Sequence, residues 1–183
     1  MRIIGGEAKS RRIDAPKGTQ TRPTLDKTKE SLFNILQFHL EGKKVLDLYA
    51  GSGALALESI SRGANSAVLC DNSREAQKTI VQNINALGYE GQTKVLPMAD
   101  MRALQLLHAQ KEAFDIIFLD PPYALSVAES LQKIAEYQLL LEDGIIIVEH
   151  TKEQTPLCPP QLSIFDSRKY RETVLTFIKK QGD

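Results

Sequence analysis

The chain has 183 residues and a mass of 20.4 kDa, a size that fits one domain with a substantial hydrophobic core. Its composition, 42% hydrophobic and 25% charged, excludes collagen-like, low-complexity and largely disordered classes. The formal net charge is zero, but residues 1–29 carry a balance of +5 and the remainder carries −5. A basic segment on a mildly acidic body suits a polyanionic partner, although a solvated, flexible terminus accounts for the same charges.

The cellular setting can also be predicted from the sequence. Cys70 and Cys158 lie far apart and form no CxxC pair, so we expect neither a disulfide framework nor a cysteine zinc site, and we expect a cytoplasmic location. The apolar runs are far shorter than the ~20 residues that span a bilayer. We therefore expect no membrane span, and the N-terminus contains no signal-peptide core.

Residues 1–23 mix Gly, Pro, Lys and Arg without periodicity, which indicates a basic N-terminal arm that could contain one short hairpin. A helix is predicted from Pro23 to Gly42, because apolar residues recur there at near-helical spacing. Strands and helices then alternate. The predicted strands span residues 44–48, 66–71, 93–96, 114–119 and 144–149, with a final pair at 162–166 and 173–178. The predicted helices between the strands end near Arg62, run from Ser73 to about Gly88, span about 102–110, and run from a capping box at Ser126 and Glu129 to about Tyr137.

This order of elements predicts an α/β fold. Five strands that alternate with helices indicate a Rossmann-like, doubly wound sheet, and the two last strands have no helix between them. We expect about seven strands, mostly parallel, with an antiparallel C-terminal edge hairpin. Residues 1–183 are interpreted as a single domain.

A glycine-rich turn follows the first predicted strand. Gly51 and Gly53 leave room for a ligand against the backbone, and the following helix offers free N–H groups. The spacing fits the dinucleotide fingerprint, and Asp71 could accept both hydroxyls of a ribose that NAD and S-adenosylmethionine share. Asp47 suits a ligand with an ammonium and a sulfonium better than one with a pyrophosphate. A structural turn without a ligand is the alternative, and Asp100 could either accept from an adenine amine or cap the next helix.

The tetrad Asp120-Pro121-Pro122-Tyr123 follows the fourth predicted strand. The prolines remove two N–H donors, so the Asp120 carboxylate and the Pro121 carbonyl could accept both hydrogens of an exocyclic amine. That arrangement would turn the nitrogen lone pair toward a methyl sulfonium, while Tyr123 stacks on the base for ~1–3 kcal/mol. The base would have to be flipped or splayed out. A proline-rich turn is the alternative, but hydride transfer has no use for this tetrad, so methyl transfer is favoured over an NAD-dependent oxidoreductase.

The segments 47–53 and 120–123 resemble those of class I S-adenosylmethionine-dependent methyltransferases that act on an exocyclic amine. Four further segments, 2–6, 12–13, 22–24 and 29–34, resemble the bacterial 16S rRNA guanine-N2 methyltransferase family over essentially the whole chain. The tail 169–173 is similar to the Lys-x-Tyr-Gly-x-Thr ending of that family. Two positions depart from the family pattern. Arg171 stands where Gly is usual, and Lys29 stands where Arg is commoner, which would weaken a bidentate phosphate contact.

The resemblance implies transfer of a methyl group from S-adenosylmethionine to the N2 amine of one guanine in 16S rRNA, within an assembling small ribosomal subunit. It implies no metal, and a monomer or weak dimer. The implied cofactor-binding residues are Asp47, Tyr49, Gly51, Gly53, Asp71, Asp100 and Met101. The implied catalytic residues are Asp120, Pro121 and Tyr123, and the implied RNA-binding residues are Arg2, Arg11, Arg12 and Arg22.

Three other functions remain open. A DNA adenine-N6 methyltransferase uses the same tetrad but usually carries a target-recognition domain, for which 183 residues leave little room. A protein-glutamine methyltransferase usually has Asn at the position of Asp120. A non-catalytic RNA-binding assembly module could keep the fold. The histidines show no ligand spacing, so we interpret His39 and His108 as structural, whereas His150 could approach the base.

Overall fold

The computed structural model describes residues 1–16, 23–122, 126–171 and 173–182, except for the side chains of residues 23–26. Within these segments the helices are α1 (Pro23–Ile35), α2 (Ala54–Ser61), α3 (Arg74–Leu87), α4 (Asp100–Ala109) and α5 (Ala128–Glu136). The strands are β1 (Lys44–Asp47), β2 (Ser66–Cys70), β3 (Thr93–Leu96), β4 (Phe114–Leu119), β5 (Leu140–Thr151), β6 (Leu162–Lys169) and β7 (Thr173–Lys180). None of the helices in the described part of the chain is long and apolar enough to cross a membrane.

The strands form one mixed sheet in the order β3-β2-β1-β4-β5-β7-β6. Strands β1 to β5 pair in parallel, and β7 and β6 add an antiparallel edge. The predicted doubly wound sheet is therefore confirmed. Since the chain winds outward from β1 in one direction and from β4 in the other, the carboxyl ends of these two neighbouring strands form a topological switch point, where open α/β sheets bind ligands.

Two apolar clusters cover the faces of the sheet. One packs α1, α2, α3 and the N-terminal residues on one face, and the other packs α4 and α5 on the opposite face. Phe33 of α1 meets Phe118 of β4 with ring centroids 6.2 Å apart. Both faces are thus buried, which is why β4 is a continuous apolar run.

Some predicted ends of helices and strands are wrong, because the pattern of buried residues does not stop where the regular secondary structure stops. Helix α1 ends at Ile35 and not near Gly42, because Leu36 and Leu40 are buried by turns after the helix, including a His39 N–H bond to the Leu36 carbonyl. The predicted capping box is also wrong. Helix α5 begins at Ala128, and Ser126 Oγ accepts from the Ala128 N–H at 3.3 Å, two residues on, without capping the third residue. Strand β5 begins at Leu140, before the predicted strand, because Leu140 already pairs with Phe114 of β4. The register is irregular over the exposed residues 141–143, and regular pairing resumes at Ile145 with Ile116.

The first 13 residues form a short hairpin that packs on the body of the protein. Arg2 and Arg12 pair in an antiparallel bridge, and Ile3 and Ile13 are buried in the cluster on the α1 face. The hairpin is held by Glu58 of α2, whose fully buried carboxylate accepts from the N–H groups of Ile4 and Gly5, both at 2.8 Å.

The same Glu58 carboxylate pairs with two cations, the buried Lys29 and the half-buried Arg62. Arg62 Nε donates at 2.7 Å, and Lys29 Nζ lies 3.5 Å away while it also donates to the Arg2 carbonyl at 2.8 Å. The Lys29 ammonium group is therefore directed into this buried network, and the expected weakening of a phosphate contact by lysine at this position stays a prediction. Lysine suits this position because its compact ammonium group can contact both the Glu58 carboxylate and the Arg2 carbonyl.

We expect Glu58→Ala to lower the free energy of unfolding by about 3–5 kcal/mol, because it leaves two cations and two backbone N–H groups without their acceptor. Urea unfolding followed by circular dichroism measures this loss. Glu136→Ala removes an exposed carboxylate from its ion pair with Lys133 and should leave the unfolding midpoint unchanged. Equal midpoints for the two variants would contradict the role given to Glu58.

Candidate functional site

A crevice of about 520 Å³ opens at the switch point, above the carboxyl ends of β1, β2, β4 and β5. Within the described part of the chain, five carboxylates line it, namely Asp47, Asp71, Asp100, Asp120 and Glu149. Met1, Ala15 and Pro16 from the N-terminal region and Thr28, Lys29 and Leu32 of α1 form part of its wall. The structure thus brings together most of the predicted cofactor-binding and catalytic residues, which come from distant parts of the sequence.

Glycine is required at two positions of the turn after β1, for a different structural reason at each. Both have positive φ, +57° at Gly51 and +79° at Gly53. Gly51 lines the crevice, and a Cβ there would meet no atom within 4 Å, so the space beside it is open to a ligand. A Cβ on Gly53 would come within 2.9 Å of Leu69, and Gly53 does not line the crevice. Gly53 therefore shapes the turn from within, while Gly51 faces the open space.

Asp71 stands directly after β2 and is held by backbone groups. Its two carboxylate oxygens accept from the N–H groups of Gly51 and Ser73, each at 2.9 Å. These bonds fix the carboxylate beside the glycine turn, at the rim of the crevice. Each oxygen keeps acceptor capacity for a further donor, such as a ribose hydroxyl.

Asp47 ends β1 and is 1% exposed. Its Oδ2 accepts from the Ala56 N–H of α2 at 3.3 Å, whereas its buried Oδ1 has no hydrogen-bond partner. Burial, together with the nearby charge of Asp71, raises the pKa of Asp47 to about 7. A buried carboxylate oxygen without a partner is costly, and a cationic or hydrogen-bond-donating ligand in the crevice would satisfy it.

Tyr49 and Asp100 belong to one hydrogen-bonded group on the crevice wall. The Tyr49 hydroxyl donates to Asp100 Oδ2 at 2.6 Å and lies 2.9 Å from Ser130 Oγ of α5. Burial and the bond to Asp100 raise the pKa of Tyr49 above its ordinary value. Asp100 is the first residue of α4, but its side chain makes no capping bond, so the capping alternative is wrong. Met101 packs against the cluster on the α4 face and does not line the crevice.

Asp120 and Pro121 follow β4 and line the crevice, whereas Tyr123 lies outside the described residues. The Asp120 carboxylate is reached by solvent, but the surrounding protein removes much of its hydration. This desolvation, with the charges of Glu149 and Asp47, raises the pKa of Asp120 well above its ordinary value. Burial among neighbours of the same charge thus favours the protonated form of Asp120.

Sequence reasoning did not single out Glu149. It follows the apolar run 145–148 of β5, just as Asp120 follows β4, and that shared pattern of an acid after a buried strand was the available signal. Desolvation raises its pKa, and a hydrogen bond from Thr173 partly offsets the effect. His150, the next residue, does not reach the crevice. Its Nδ1 lies 2.6 Å from the Thr151 carbonyl oxygen, to which it donates, and its Nε2 lies within hydrogen-bond distance of Thr176 Oγ1, at 2.7 Å.

The predicted RNA-binding arginines fall into different surroundings. Arg2 and Arg12 are exposed on the N-terminal hairpin, and Arg22 lies outside the described residues. Arg11 is also exposed, and its guanidinium donates to the carbonyls of Ala86 and Leu87, where α3 ends. A cation is favoured at a helix C-terminus, so Arg11 has a structural contact there, and its contact with RNA stays a prediction.

The sheet order and the carboxylate-lined crevice after the glycine turn define a class I methyltransferase fold. A solved structure named "Putative methyltransferase yhhF from Escherichia coli" matches with a TM-score of 0.86 and 30% identity, covering 100% of this chain and 99% of that chain. The chain belongs to the family described as "Conserved hypothetical protein 95", which matches residues 1–179.

Relatives with curated names agree with this family. "Putative rRNA methyltransferase YlbH" of Bacillus subtilis (strain 168) is 38% identical over 184 residues, with 100% of each chain covered. "Ribosomal RNA small subunit methyltransferase D" of Escherichia coli (strain K12) is 31% identical over 166 residues, covering 90% of this chain and 82% of that protein. The resemblance predicted from the motifs is therefore confirmed at the level of the family.

We expect Asp47→Asn to stabilise the ligand-free protein, and to do so more strongly as the pH rises. The folded-state pKa near 7 lies above the ordinary 3.8, so between these values the folded state holds a proton that the unfolded chain has released. The stability of the unchanged protein therefore falls from about pH 4 to 7, by up to about 4 kcal/mol, whereas Asn does not titrate.

Urea unfolding at pH 5, 6, 7 and 8 measures this difference. Asp143→Asn, which changes an exposed carboxylate at the other end of β5, should show no such dependence. A stability difference between Asp47→Asn and the unchanged protein that stays constant across this range would contradict the raised pKa.

Proposed function

We propose that this chain transfers a methyl group from S-adenosylmethionine to the N2 amine of a guanine in small-subunit ribosomal RNA. One observation carries the proposal. A single crevice holds the unpartnered, buried carboxylate oxygen of Asp47 and the Asp120-Pro121 acceptors on the neighbouring strand. The Asp47 oxygen suits a cationic methyl donor, and the Asp120-Pro121 acceptors suit an exocyclic amine. The names of the relatives from Bacillus subtilis and Escherichia coli support ribosomal RNA as the substrate.

The residues around the glycine turn fit this cofactor. S-adenosylmethionine supplies an electrophilic methyl carbon next to a sulfonium. The Asp71 carboxylate would bind the ribose hydroxyls, and the open backbone at Gly51 allows close approach. Asp47 Oδ1 would accept from the ammonium group, which satisfies the buried oxygen. The Tyr49 and Asp100 pair lies beside this region and would contact the adenine.

Asp120 and Pro121 would position the accepting nitrogen. The Asp120 carboxylate and the Pro121 carbonyl accept its two hydrogens, so that its lone pair is directed into the crevice toward the methyl carbon. Asp120 orients the amine more than it deprotonates it, since the nitrogen can lose a proton after it has gained the methyl group. The raised pKa of Asp120 suits it to hold that proton. Tyr123 would stack on the base.

The substrate within the cell would be a partly assembled small ribosomal subunit, in which the target loop is still accessible. The enzyme would act as a monomer or weak dimer. The exposed Arg2 and Arg12 would contact phosphates, while the base enters the crevice.

We expect Asp120→Ala to abolish methyl transfer while S-adenosylhomocysteine binding survives, because Asp120 belongs to the amine-binding part of the crevice. Incubation with a labelled methyl donor and ribosomal particles from a strain without the enzyme measures transfer, and calorimetry measures binding. Asp143→Ala should retain both. Full transfer by Asp120→Ala would refute the mechanism, and an unchanged chain that binds no S-adenosylhomocysteine would favour a non-catalytic module.

We expect Arg12→Gln to weaken RNA binding and to reduce the slope of log affinity against log salt by about 0.7–0.9, as the loss of one phosphate contact does. Fluorescence anisotropy with a small-subunit RNA fragment at 50–200 mM salt measures the slope. Lys94→Gln, on edge strand β3, is the matched control and should leave it unchanged. Arg11→Gln should mainly lower stability, because its guanidinium binds the end of α3. An unchanged slope for Arg12→Gln would mean that RNA binds another surface.

A further inference from the structure

Asp120 and Glu149 lie side by side at the carboxyl ends of β4 and β5. Leu119 pairs with Val148 in the parallel ladder, so Asp120 and Glu149 are the next residues on each strand. Neighbouring residues in register point to the same face of a sheet, and both side chains line the same crevice. Two desolvated carboxylates that face the same space repel each other. The repulsion is relieved when one of them binds a proton or when a ligand donates hydrogen bonds to them.

Glu149 is held firmly in this position. It lies on β5, between β4 and β7, and is in register with the buried Leu175. Thr173 donates a hydrogen bond to its carboxylate. The next residue, His150, is fixed through both ring nitrogens. An apolar side chain would suit the interior of a sheet better than this desolvated acid, which points to a role in binding.

The hydrogen-bond donors and acceptors along the edge of each base determine which base the two carboxylates could bind. In guanine, the exocyclic N2 amine stands next to the ring N1–H, so two adjacent atoms donate hydrogens. In adenine and cytosine, the ring nitrogen next to the exocyclic amine carries a lone pair, which an ionised carboxylate repels. Two neighbouring carboxylates therefore match the donor edge of guanine and oppose the edges of the other amino bases.

We propose that Glu149 makes the site specific for guanine: its carboxylate accepts the N1–H, while Asp120 and the Pro121 carbonyl hold the N2 amine. This inference rests on the proposed function and adds recognition of the ring to it. Glu149 is thus a specificity-determining residue, and Asp120 keeps its role at the reacting nitrogen. In a rival arrangement Asp120 accepts both the N1–H and one amine hydrogen, and Glu149 has no part in base recognition.

The test compares guanine with 2-aminopurine, which keeps the exocyclic N2 amine but has a lone pair at N1. The labelled methyl group first locates the target guanine, and small-subunit RNA or particles are then reconstituted with either base at that position. The ratio of kcat/KM on the two substrates is measured for the unchanged enzyme, Glu149→Gln and Glu142→Gln. Glu142 lies at the opposite end of the same strand and is exposed, so its variant is a matched control.

We expect the unchanged enzyme and Glu142→Gln to prefer guanine by about 10- to 100-fold, because a hydrogen bond to a charged group is lost with 2-aminopurine. In Glu149→Gln the guanine rate should fall, and the preference should shrink by about tenfold or more, since the amide can donate to the N1 lone pair. S-adenosylhomocysteine should bind Glu149→Gln with unchanged affinity, which shows that the cofactor region is intact.

Three outcomes would overturn the inference. They are equal rates of the unchanged enzyme on both bases, faster transfer to 2-aminopurine, and a guanine preference that survives intact in Glu149→Gln. The last outcome would favour the rival arrangement with Asp120 alone. A failure of the proposed function looks different, because the unchanged enzyme would then methylate no ribosomal RNA in the first, labelling step.

Discussion

A buried carboxylate oxygen without a partner, on Asp47, is the constraint around which the site is arranged. Strand β1 is paired on both sides, by β2 and β4, so its last residue cannot move toward solvent to recover hydration. The raised pKa records the cost of this position. Such a cost persists at functional sites when it is offset on ligand binding. A cation in the crevice would stabilise the ionised form, so cofactor binding and ionisation of Asp47 are thermodynamically linked.

Helix α2 connects this site to the N-terminal hairpin. Its Ala56 N–H donates to Asp47, and Glu58, two residues later, binds the hairpin backbone at Ile4 and Gly5. Met1, at the start of the same hairpin, lines the crevice. The N-terminal residues are therefore both an exposed basic surface and a wall of the binding site. A loss of the Glu58 contacts would disturb the hairpin and this wall of the crevice together, although Glu58 itself does not line the crevice.

The sequence was sufficient for the features that depend on local patterns. Strand β4 and the glycine turn were predicted correctly because a continuous apolar run and a fixed glycine spacing carry their own signal. Partners that are distant in the chain carry no such signal. Lys29 resembled a phosphate ligand, and only the fold places it against Glu58. Arg11 likewise binds the end of α3, 75 residues away. Glu149 carried a weak signal, an acid directly after an apolar run, but its position beside Asp120 depends on the register between β4 and β5, which a single sequence does not specify.

The proposed reaction requires a surface that binds the nucleic-acid backbone and a crevice that binds the cofactor and the base. The distribution of charge places these two functions in different parts of the protein. Among the described residues of the crevice wall, five carboxyl groups outnumber the one lysine side chain, Lys29, so the crevice suits a neutral base or a cationic cofactor better than a phosphate group. The exposed Arg2 and Arg12 lie outside it, on the hairpin. A nucleic acid would then keep its backbone at the basic surface and extend a single base inward, at a cost of a few kcal/mol that is smallest in an unpaired loop.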